Sequence, residues 1–316
     1  MQKILTSSFI QLIEFAKKGG CLIEGFKMKA EKKYLKFTKM HGCGNDYIFI
    51  NCFDQEINDP EKLAVILSDR HFGIGGDGLV LICSSRIADA KMKMFNMDGS
   101  EGRMCGNAIR CTAKYIYDNG YCRKKKIKIE TLSGIKAIEV YTENGYVISA
   151  RVDMGRAELK PEKIPVALPG DRIVDFPIDI KGTTYRITCI SMGNPHAVVF
   201  LDDIDNMSLA EVGPYFEYNE LFPERVNTEF VQLIDSETLK MRVWERGSGE
   251  TLACGTGACA AAVAAVLNGY CDKDHDIRVL LKGGSLTVRF EDENVFMTGD
   301  CVKVFEGTIE VSNHYL

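Results

Sequence analysis

The chain has 316 residues, of which 46% are hydrophobic and 26% charged, and its formal net charge is −5. This composition is typical of a soluble globular protein, and the length favours two domains over one. The sequence has neither the basic footprint of a nucleic-acid-binding protein nor an apolar run of the roughly 18 residues that cross a membrane. Nucleic acid and membrane are therefore excluded as partners.

The chain contains twelve cysteines, but their spacing indicates neither a disulfide framework nor a metal site. None form a C-x-x-C pair or a Cys/His group with zinc spacing, and no signal peptide precedes them. Most are predicted to be buried thiols in a reducing compartment. This pattern predicts a cytoplasmic protein without a metal.

Residues 1–34 are expected to form a poorly ordered extension that arises from an upstream start, with Met28 as the functional start. The segment has some amphipathic character, which would also suit a transit peptide. However, it contains no arginine and carries Glu14, Glu24 and Glu31, which argues against transit-peptide function.

The next segments alternate between apolar and polar residues, as strands do. In the first half these are "YIFINCF", "GLVLICS" and "KMKMFNM", followed by a helix predicted over 106–118. In the second half, "HAVVFLD", "NTEFVQLI" and "LKMRVWE" precede a helix predicted over 255–268. The second helix is rich in alanine on all sides, which predicts that a sheet or barrel surrounds it. Proline and charge rise over 152–165, where we expect a domain boundary.

The two halves repeat one pattern with an offset of 149 residues. This offset relates Cys105-Gly106 to Cys254-Gly255, and Asn119-Gly120 to Asn268-Gly269. It also relates Gly44-Asn45 to Gly193-Asn194, and it aligns Gly134 with Gly283 in two strand–Gly–strand segments. The predicted fold class is α+β, with two homologous domains related by pseudo-two-fold symmetry. Each domain is a mostly antiparallel, β-barrel-like sheet around a central helix. The expected domains are 35–153 and 154–301, with a last strand, 302–316, returning to the first.

The repeated Cys-Gly step places a thiol at the start of each helix. Backbone N–H groups and the helix dipole favour anions there, so they lower a thiol pKa and bind carboxylates. If pseudo-symmetry brings both starts together, a sulfur lies on either side of a bound α-carbon. This arrangement suits epimerisation or racemisation by two bases, one thiolate and one thiol, without a cofactor.

The motifs resemble those of diaminopimelate epimerases, which interconvert LL- and meso-2,6-diaminoheptanedioate without pyridoxal phosphate. The resemblance runs from about Phe37 to the C-terminus. The motifs are "HGCGNDY", "RHFGIGGDGL", "FNMDGSEGRMCGNAIRC", "SMGNPHAV", "RVNTEFV", "WERGSGETLACGTGACA" and "TGDCVKVFEG". The resemblance implies that the protein is an isomerase of lysine and peptidoglycan precursor biosynthesis and that it acts on a small diaminodicarboxylate. A homodimer is the assembly that the family suggests.

The resemblance also implies roles for individual residues. It makes Cys105 and Cys254 the acid/base pair, with His196 and Glu245 modulating the thiol pKa values. Arg246 would hold the distal carboxylate bidentately, and Glu245 would accept from an ammonium. The implied substrate-binding residues are Asn45, Asn96, Gly106, Asn107, Asn194, Asn227, Glu245, Arg246, Gly255 and Thr256.

Most of these residues also have a purely structural interpretation. The asparagines that follow glycine are common in turns, Glu245-Arg246 suits a surface ion pair, and His196 suits a satisfied core histidine. The "GIGGDG" segment predicts a tight loop under the active site rather than a phosphate loop. Some members of the family carry glutamine where this chain has Gly78, so no side-chain contact with substrate is expected there. The 149-residue offset relates Cys111 to Ala260, which is not a cysteine, so Cys111 is interpreted as a residue that packs in the core.

Three other functions fit parts of the sequence. A proline racemase-like or phenazine-biosynthesis-like enzyme of the same fold is the nearest alternative, but it has no evident use for Arg246 with four asparagines. A Cys-His hydrolase or thiol redox protein fits poorly, since the two cysteine environments are duplicated and no C-x-x-C pair is present. A binding module without activity is disfavoured by the presence of both cysteines.

Overall fold

The computed structural model describes residues 33–311. The expected extension over 1–34 therefore lies almost wholly outside the described residues, as do the last five positions of the expected strand 302–316. Within the described part, no helix is long and apolar enough to cross a membrane.

The described chain folds into four α-helices, one 3₁₀ turn and eighteen strands. The helices are α1 Pro60–Ser68, α2 Gly106–Asp118, α3 Leu209–Glu217 and α4 Gly255–Leu267, and the 3₁₀ turn is Pro161–Lys163. The strands of the first half are β1 Lys33–Gly42, β2 Asn45–Asn51, β3 Gly78–Cys83, β4 Ala90–Asn96, β5 Glu101–Gly102, β6 Lys126–Thr131, β7 Gly134–Glu143 and β8 Tyr146–Arg156. The remaining strands are β9 Phe176–Ile180, β10 Thr183–Ser191, β11 Pro195–Phe200, β12 Asn227–Asp235, β13 Thr238–Glu245, β14 Gly249–Glu250, β15 Asp276–Leu281, β16 Gly284–Glu291, β17 Asn294–Asp300 and β18 Val302–Val311.

Both predicted helices are confirmed. Helices α2 and α4 have thirteen residues each, and their first residues lie at the predicted offset. A cysteine with extended backbone precedes each helix, and an asparagine whose N–H bonds back into the last turn follows it. The next residue is a glycine with positive φ, as is usual at a helix C-terminus. The stop signals therefore act as the sequence indicates.

The sheet is continuous through both halves, and most of its pairings are antiparallel. Strand β8 of the first half pairs with β17 of the second, and β18 returns to pair with β1. One parallel pair has the same place in each half: β2 pairs with β3 in the first half, and β11 pairs with β12 in the second. The predicted mixed fold with two related halves is confirmed.

Helices α2 and α4 occupy the inner side of this sheet and share one core with its inward-facing side chains. The alanines of α4 are fully buried, which lets the surrounding strands approach the helix closely. The outer face of β2 and β3 is covered as well. There, Ile48 and Ile50 pack with Leu63 and Leu67 of α1. Two-sided burial explains why "YIFI" and "GLVLI" are apolar at every position.

The short helices α1 and α3 were not predicted. Each has nine residues, and they too are related by the 149-residue offset. The proline inside α3 weakens the sequence signal for that helix, whereas Pro60 at the start of α1 is compatible with a helix but begins one of only nine residues. They exist because they cover the apolar outer faces of the sheet, which is a tertiary effect.

One alignment is corrected by the strand register. Gly134 and Gly284, rather than Gly283, occupy the same place in the two hairpins, since they lie opposite Thr131 and Leu281 respectively. The connection from α4 to β15 is one residue longer than that from α2 to β6, which shifts the offset from this point onward.

The expected boundary between the domains, after position 153, lies inside strand β8, which continues to Arg156. We therefore propose that the first domain ends after Arg156.

Candidate active site at the two helix N-termini

A cleft of about 950 Å³ lies between the two halves. Its walls come from residues of the first half between Gly44 and Asp98 and of the second half between Glu245 and Lys282. Charged and polar side chains dominate the walls, as expected for a dicarboxylate site. The predicted residues that line the cleft directly are Asn45, Asn96, Glu245 and Arg246.

The N-termini of α2 and α4 meet behind this cleft. A Cβ added to Gly106 would lie 2.5 Å from the Met297 methyl carbon, and one added to Gly255 would lie 3.2 Å from its sulfur. The same point at Gly255 is 3.9 Å from Oδ1 of Asn107. One thioether therefore packs against both helix starts, at two positions that carry no side chain. The structure thus brings Cys105-Gly106 and Cys254-Gly255 together, as the repeat predicts.

Hydrogen-bond donors and a cation surround the thiol of Cys105. Burial raises its pKa, while the Ala108 and Asn107 N–H groups, the Tyr47 hydroxyl and the Arg110 charge oppose that rise. The sulfur lies 3.5 Å from Asn45 Oδ1, which also accepts from the Asn107 amide at 3.1 Å. The donors and the cation thus offset part of the effect of burial, although the pKa of this thiol stays above its usual value.

The thiol of Cys254 has carboxylates beside it instead. Burial, followed by the nearby charges of Glu245 and Glu229, raises its pKa well above the usual value. The sulfur accepts from the Gly257 N–H at 3.3 Å and lies 3.4 Å from the Thr256 hydroxyl oxygen. Glu245 hydrogen-bonds this thiol and Thr251, and burial raises the pKa of its carboxyl. This environment favours the protonated thiol.

His196 is fully buried and is held from both ring nitrogens. Nδ1 lies 2.7 Å from Oε1 of Glu229, and Nε2 lies 3.0 Å from Oδ1 of Asn194. Glu229 is fully buried too, and its Oε1 would be 2.6 Å from a Cβ at Gly257. His196 therefore links Asn194 to Glu229 beside the first turn of α4, and neither His196 nor Asn194 is among the residues that line the cleft.

The other predicted residues lie in the cleft or support its walls. Asn45 donates to Asp77 at 2.7 Å, so the glycine-rich loop lies under the site, as predicted. Asn227 accepts from the backbone N–H of Arg246 at 2.8 Å and so fixes the turn that carries Arg246. The exposed Arg246 donates through Nη1 to the carbonyl of Glu224 at 2.7 Å. Asn96 bonds Ser100 at 3.0 Å at the rim of the cleft.

Sequence reasoning missed Tyr47, although the repeat holds the signal for it. Tyr47 lies opposite Gly78 in the parallel pair, and His196 lies opposite Asn227 in the equivalent pair. The Tyr47 hydroxyl hydrogen-bonds the Cys105 thiol. A Cβ at Gly78 would lie 3.0 Å from the tyrosine ring. The cross-strand pair of Tyr47 and Gly78 in the first half therefore corresponds to the cross-strand pair of His196 and Asn227 in the second.

Arg110 was missed as well, because a charged residue inside a helix gives no local sign of burial. It is fully buried and donates to Oδ1 of Asn107 at 2.9 Å and to the carbonyl oxygens of Asp300 and Gly106. Glycines at 42 and 299 leave room for its guanidinium. Its hydrogen bonds thus fix the first turn of α2, and its charge favours an anion at Cys105.

Among residues 33–311, no cluster of three His, Cys, Asp or Glu side chains is arranged to hold a metal ion.

The chain matches one known protein family over most of its length. A family model described as "Diaminopimelate epimerase" matches residues 37–160 and 188–304. A diaminopimelate epimerase from Acetivibrio thermocellus is 52% identical over 88% of this chain and 99% of its own length. One from Methanococcus maripaludis is also 52% identical, over 88% of this chain and all of its own length.

Solved structures with the same fold are much more distant in sequence. A PhzF-family phenazine biosynthesis protein from Bacillus anthracis has a TM-score of 0.62 at 16% identity, covering 88% of this chain and all of the other. A hydroxyproline epimerase from Agrobacterium vitis has a TM-score of 0.62 at 13% identity, covering 89% of this chain and 92% of the other. At these identities the likeness shows the fold alone.

Proposed function

This chain belongs to the diaminopimelate epimerase family and is therefore an isomerase that interconverts LL- and meso-diaminopimelate, and we propose that Cys105 and Cys254 move the α-proton. The observation that carries the proposal is the meeting of two cysteine-capped helix N-termini around Met297. A proton is removed by one sulfur and returned by the other on the opposite face, which inverts the carbon.

The unequal surroundings of the two thiols support an assignment of their resting states. Tyr47 and Arg110 favour the thiolate at Cys105, whereas Glu245 and Glu229 favour the thiol at Cys254. In this proposal Cys105 loses its proton more readily than Cys254, so Cys105 is the base and Cys254 the acid in the more populated of the two forms that carry one thiolate. The opposite assignment would place a thiolate beside two carboxylates, at a large electrostatic cost.

The helix starts also supply the groups that bind the reacting centre. The N–H groups of Gly106-Asn107 and Gly255-Thr256 lie at two helix N-termini, where a carboxylate and the carbanion charge conjugated with it are stabilised. Arg246 projects from the cleft wall towards solvent, in a position to hold the distal carboxylate. Asn45 and Asn96 line the same cleft and supply amide groups for the ammonium and carboxylate ends.

The nearest alternative, a proline racemase-like or phenazine-biosynthesis-like activity, is less well supported. The solved structures with those names share the fold at low identity, which says nothing of substrate. A proline-sized substrate would leave much of the cleft unfilled and Arg246 without a carboxylate. We therefore assign the role in lysine biosynthesis that the family has.

The setting of the enzyme is proposed from its chemistry. Two catalytic thiols must stay reduced, which the cytoplasm provides. For the homodimer suggested by the family, strand β18 offers an edge that pairs only with β1 among the described residues. Val304 and Phe305 on this strand are about half exposed. An edge strand with exposed apolar side chains suits pairing with a second copy.

The direct test of the activity is epimerisation of LL-diaminopimelate in deuterated water. The purified protein is expected to form meso product that carries deuterium at the inverted α-carbon, because the returned proton comes from a thiol that exchanges with solvent. Mass spectrometry and chiral chromatography follow the label and the product. Formation of meso product without deuterium would contradict a two-thiol route, and no conversion would contradict the activity.

Tyr47→Phe is expected to shift the pH profile without destroying activity. The hydroxyl stabilises the Cys105 thiolate, so its removal raises the pKa of that thiol. Because the base must be ionised, the ascending limb of kcat/KM then moves to higher pH, by about one unit for a hydrogen bond to a charged group. The rate at high pH stays close to that of the wild type. Tyr141→Phe, on the exposed face of β7, serves as the control. An unshifted limb would contradict the role of Tyr47.

A further inference from the structure

Two partly exposed cysteines lie side by side at one end of the first half. The parallel register of β2 and β3 ends with Asn51 opposite Ile82, so Cys52 and Cys83 form the next pair. The Cys52 N–H bonds the Ile82 carbonyl at 2.8 Å, which continues the ladder to this point. The two thiols hydrogen-bond each other. Adjacent strands lie about 4.8 Å apart, which is within the Cα separation that a disulfide bridges.

The pair is remote from the catalytic thiols. Strand β2 begins at Asn45 in the active-site cleft, and Cys52 follows its far end. At about 3.3 Å per residue, the separation along the strand is roughly 20 Å. In the second half the equivalent positions hold Leu201 and Gln232, with the same backbone bond from Leu201 to the Val231 carbonyl at 2.9 Å. The fold therefore has no structural need for two thiols here.

The surroundings give the two sulfurs different roles. Cys83 lies opposite Lys91 of β4, and Lys93 lines the cleft of about 680 Å³ into which both cysteines open. The hydrogen bond from Cys52, with help from Lys93 and Lys91 against the effect of burial, lowers the pKa of Cys83 to about 7. The same hydrogen bond and burial raise the pKa of Cys52. Cys83 is thus the ready nucleophile, and Cys52 is a thiol held next to it.

We propose that Cys52 and Cys83 form a thiol–disulfide exchange site for low-molecular-weight disulfides. The Cys83 thiolate attacks one sulfur of the small disulfide, whose S–S bond breaks, and one small thiolate leaves. Cys52 then loses its proton to solvent and attacks the Cys83 sulfur, which expels the second small thiolate. The two protein thiols are oxidised to a disulfide, and the small disulfide is reduced to two thiols.

The test uses the full-length reduced protein with a limiting amount of 5,5′-dithiobis(2-nitrobenzoate) at pH 7. Each reagent molecule consumed is expected to release two thionitrobenzoates, and peptide mapping should find Cys52 linked to Cys83. Epimerase activity is retained, because the link lies far from the cleft. Because the pKa of Cys83 is lowered to about 7, the first phase is expected to be about three- to fourfold faster than for an ordinary thiol, after allowance for the lower nucleophilicity of the Cys83 thiolate.

Two variants separate the steps of the exchange. Cys52→Ser is expected to stop after one release and to keep a stable adduct on Cys83. Cys83→Ser should lose the fast phase. Cys122→Ser, a buried cysteine of the same half, is the matched control and should behave as the wild type. Retained epimerase activity reports that each variant is folded. A persistent adduct on wild-type Cys83, a fast phase that survives in Cys83→Ser, or a first link between Cys105 and Cys254 with loss of activity would overturn the proposal.

Discussion

Replacing either Cys105 or Cys254 by serine is expected to lower kcat for epimerisation by about 10³-fold or more, within the range that a positioned acid/base group contributes. The hydroxyl fits the space of the thiol, but its pKa is far too high for it to serve as base near neutral pH. Both residues lie outside the regular turns of their helices, so the substitution leaves α2 and α4 intact. The loss is therefore one of chemistry and not of folding.

The deuterium assay resolves what each serine variant retains. With one sulfur left, a proton can be exchanged from one face only, so the variants should label one isomer slowly without inverting it. Cys111→Ser is the control, because this buried residue lies in the second turn of α2 and faces the core. Near wild-type epimerisation by either serine variant, or an equal loss in Cys111→Ser, would contradict the assignment of the two thiols.

Arg246→Met is expected to lower kcat/KM for diaminopimelate by about 10²- to 10³-fold, mostly through KM, because a carboxylate loses its charged partner. Arg246→Lys should recover only part of this loss, since an ammonium cannot bind the carboxylate bidentately. The side chain is exposed and its only described bond is to the Glu224 carbonyl. The fold is thus expected to tolerate both changes.

A second arginine on the same side of the molecule provides the matched control. Arg225 is half exposed and contacts Glu217 and the ring of Tyr218, and it does not line the cleft. Arg225→Met should leave KM unchanged. Initial rates over a range of diaminopimelate concentrations give the comparison. If Arg246→Met kept the wild-type KM, the distal carboxylate would have to bind elsewhere, and the proposed orientation of the substrate would be wrong.

The sequence alone predicts the features of this site that depend on local signals. The cysteine before each helix, the glycine after it and the asparagine at its end are all local, and the 149-residue repeat relates the two sets. The strands are predictable because their apolar residues either alternate, as in "KMKMFNM", or form short continuous runs, as in "GLVLI". The meeting of the two helix starts also follows from the repeat, through pseudo-symmetry.

The partners of the thiols could not be predicted in this way. Glu229 and Tyr47 reach the site through the register of neighbouring strands, and Arg110 is buried only because glycines of two other strands leave space for it. Met297 comes from a strand far along the chain. Each of these contacts depends on tertiary packing. The comparison of Tyr47 with His196 shows that a repeat can locate such residues once one member is known.

The unequal groups beside the two thiols also determine how the enzyme recovers between turnovers. Each inversion leaves the thiol and the thiolate exchanged, so the product departs from a form that is ready only for the reverse reaction. Recovery of the starting form requires a proton to return through solvent. Since Tyr47 and Arg110 favour one form and two carboxylates disfavour the other, the two forms differ in population. Forward and reverse turnover should therefore saturate at different substrate concentrations, although one pair of sulfurs serves both.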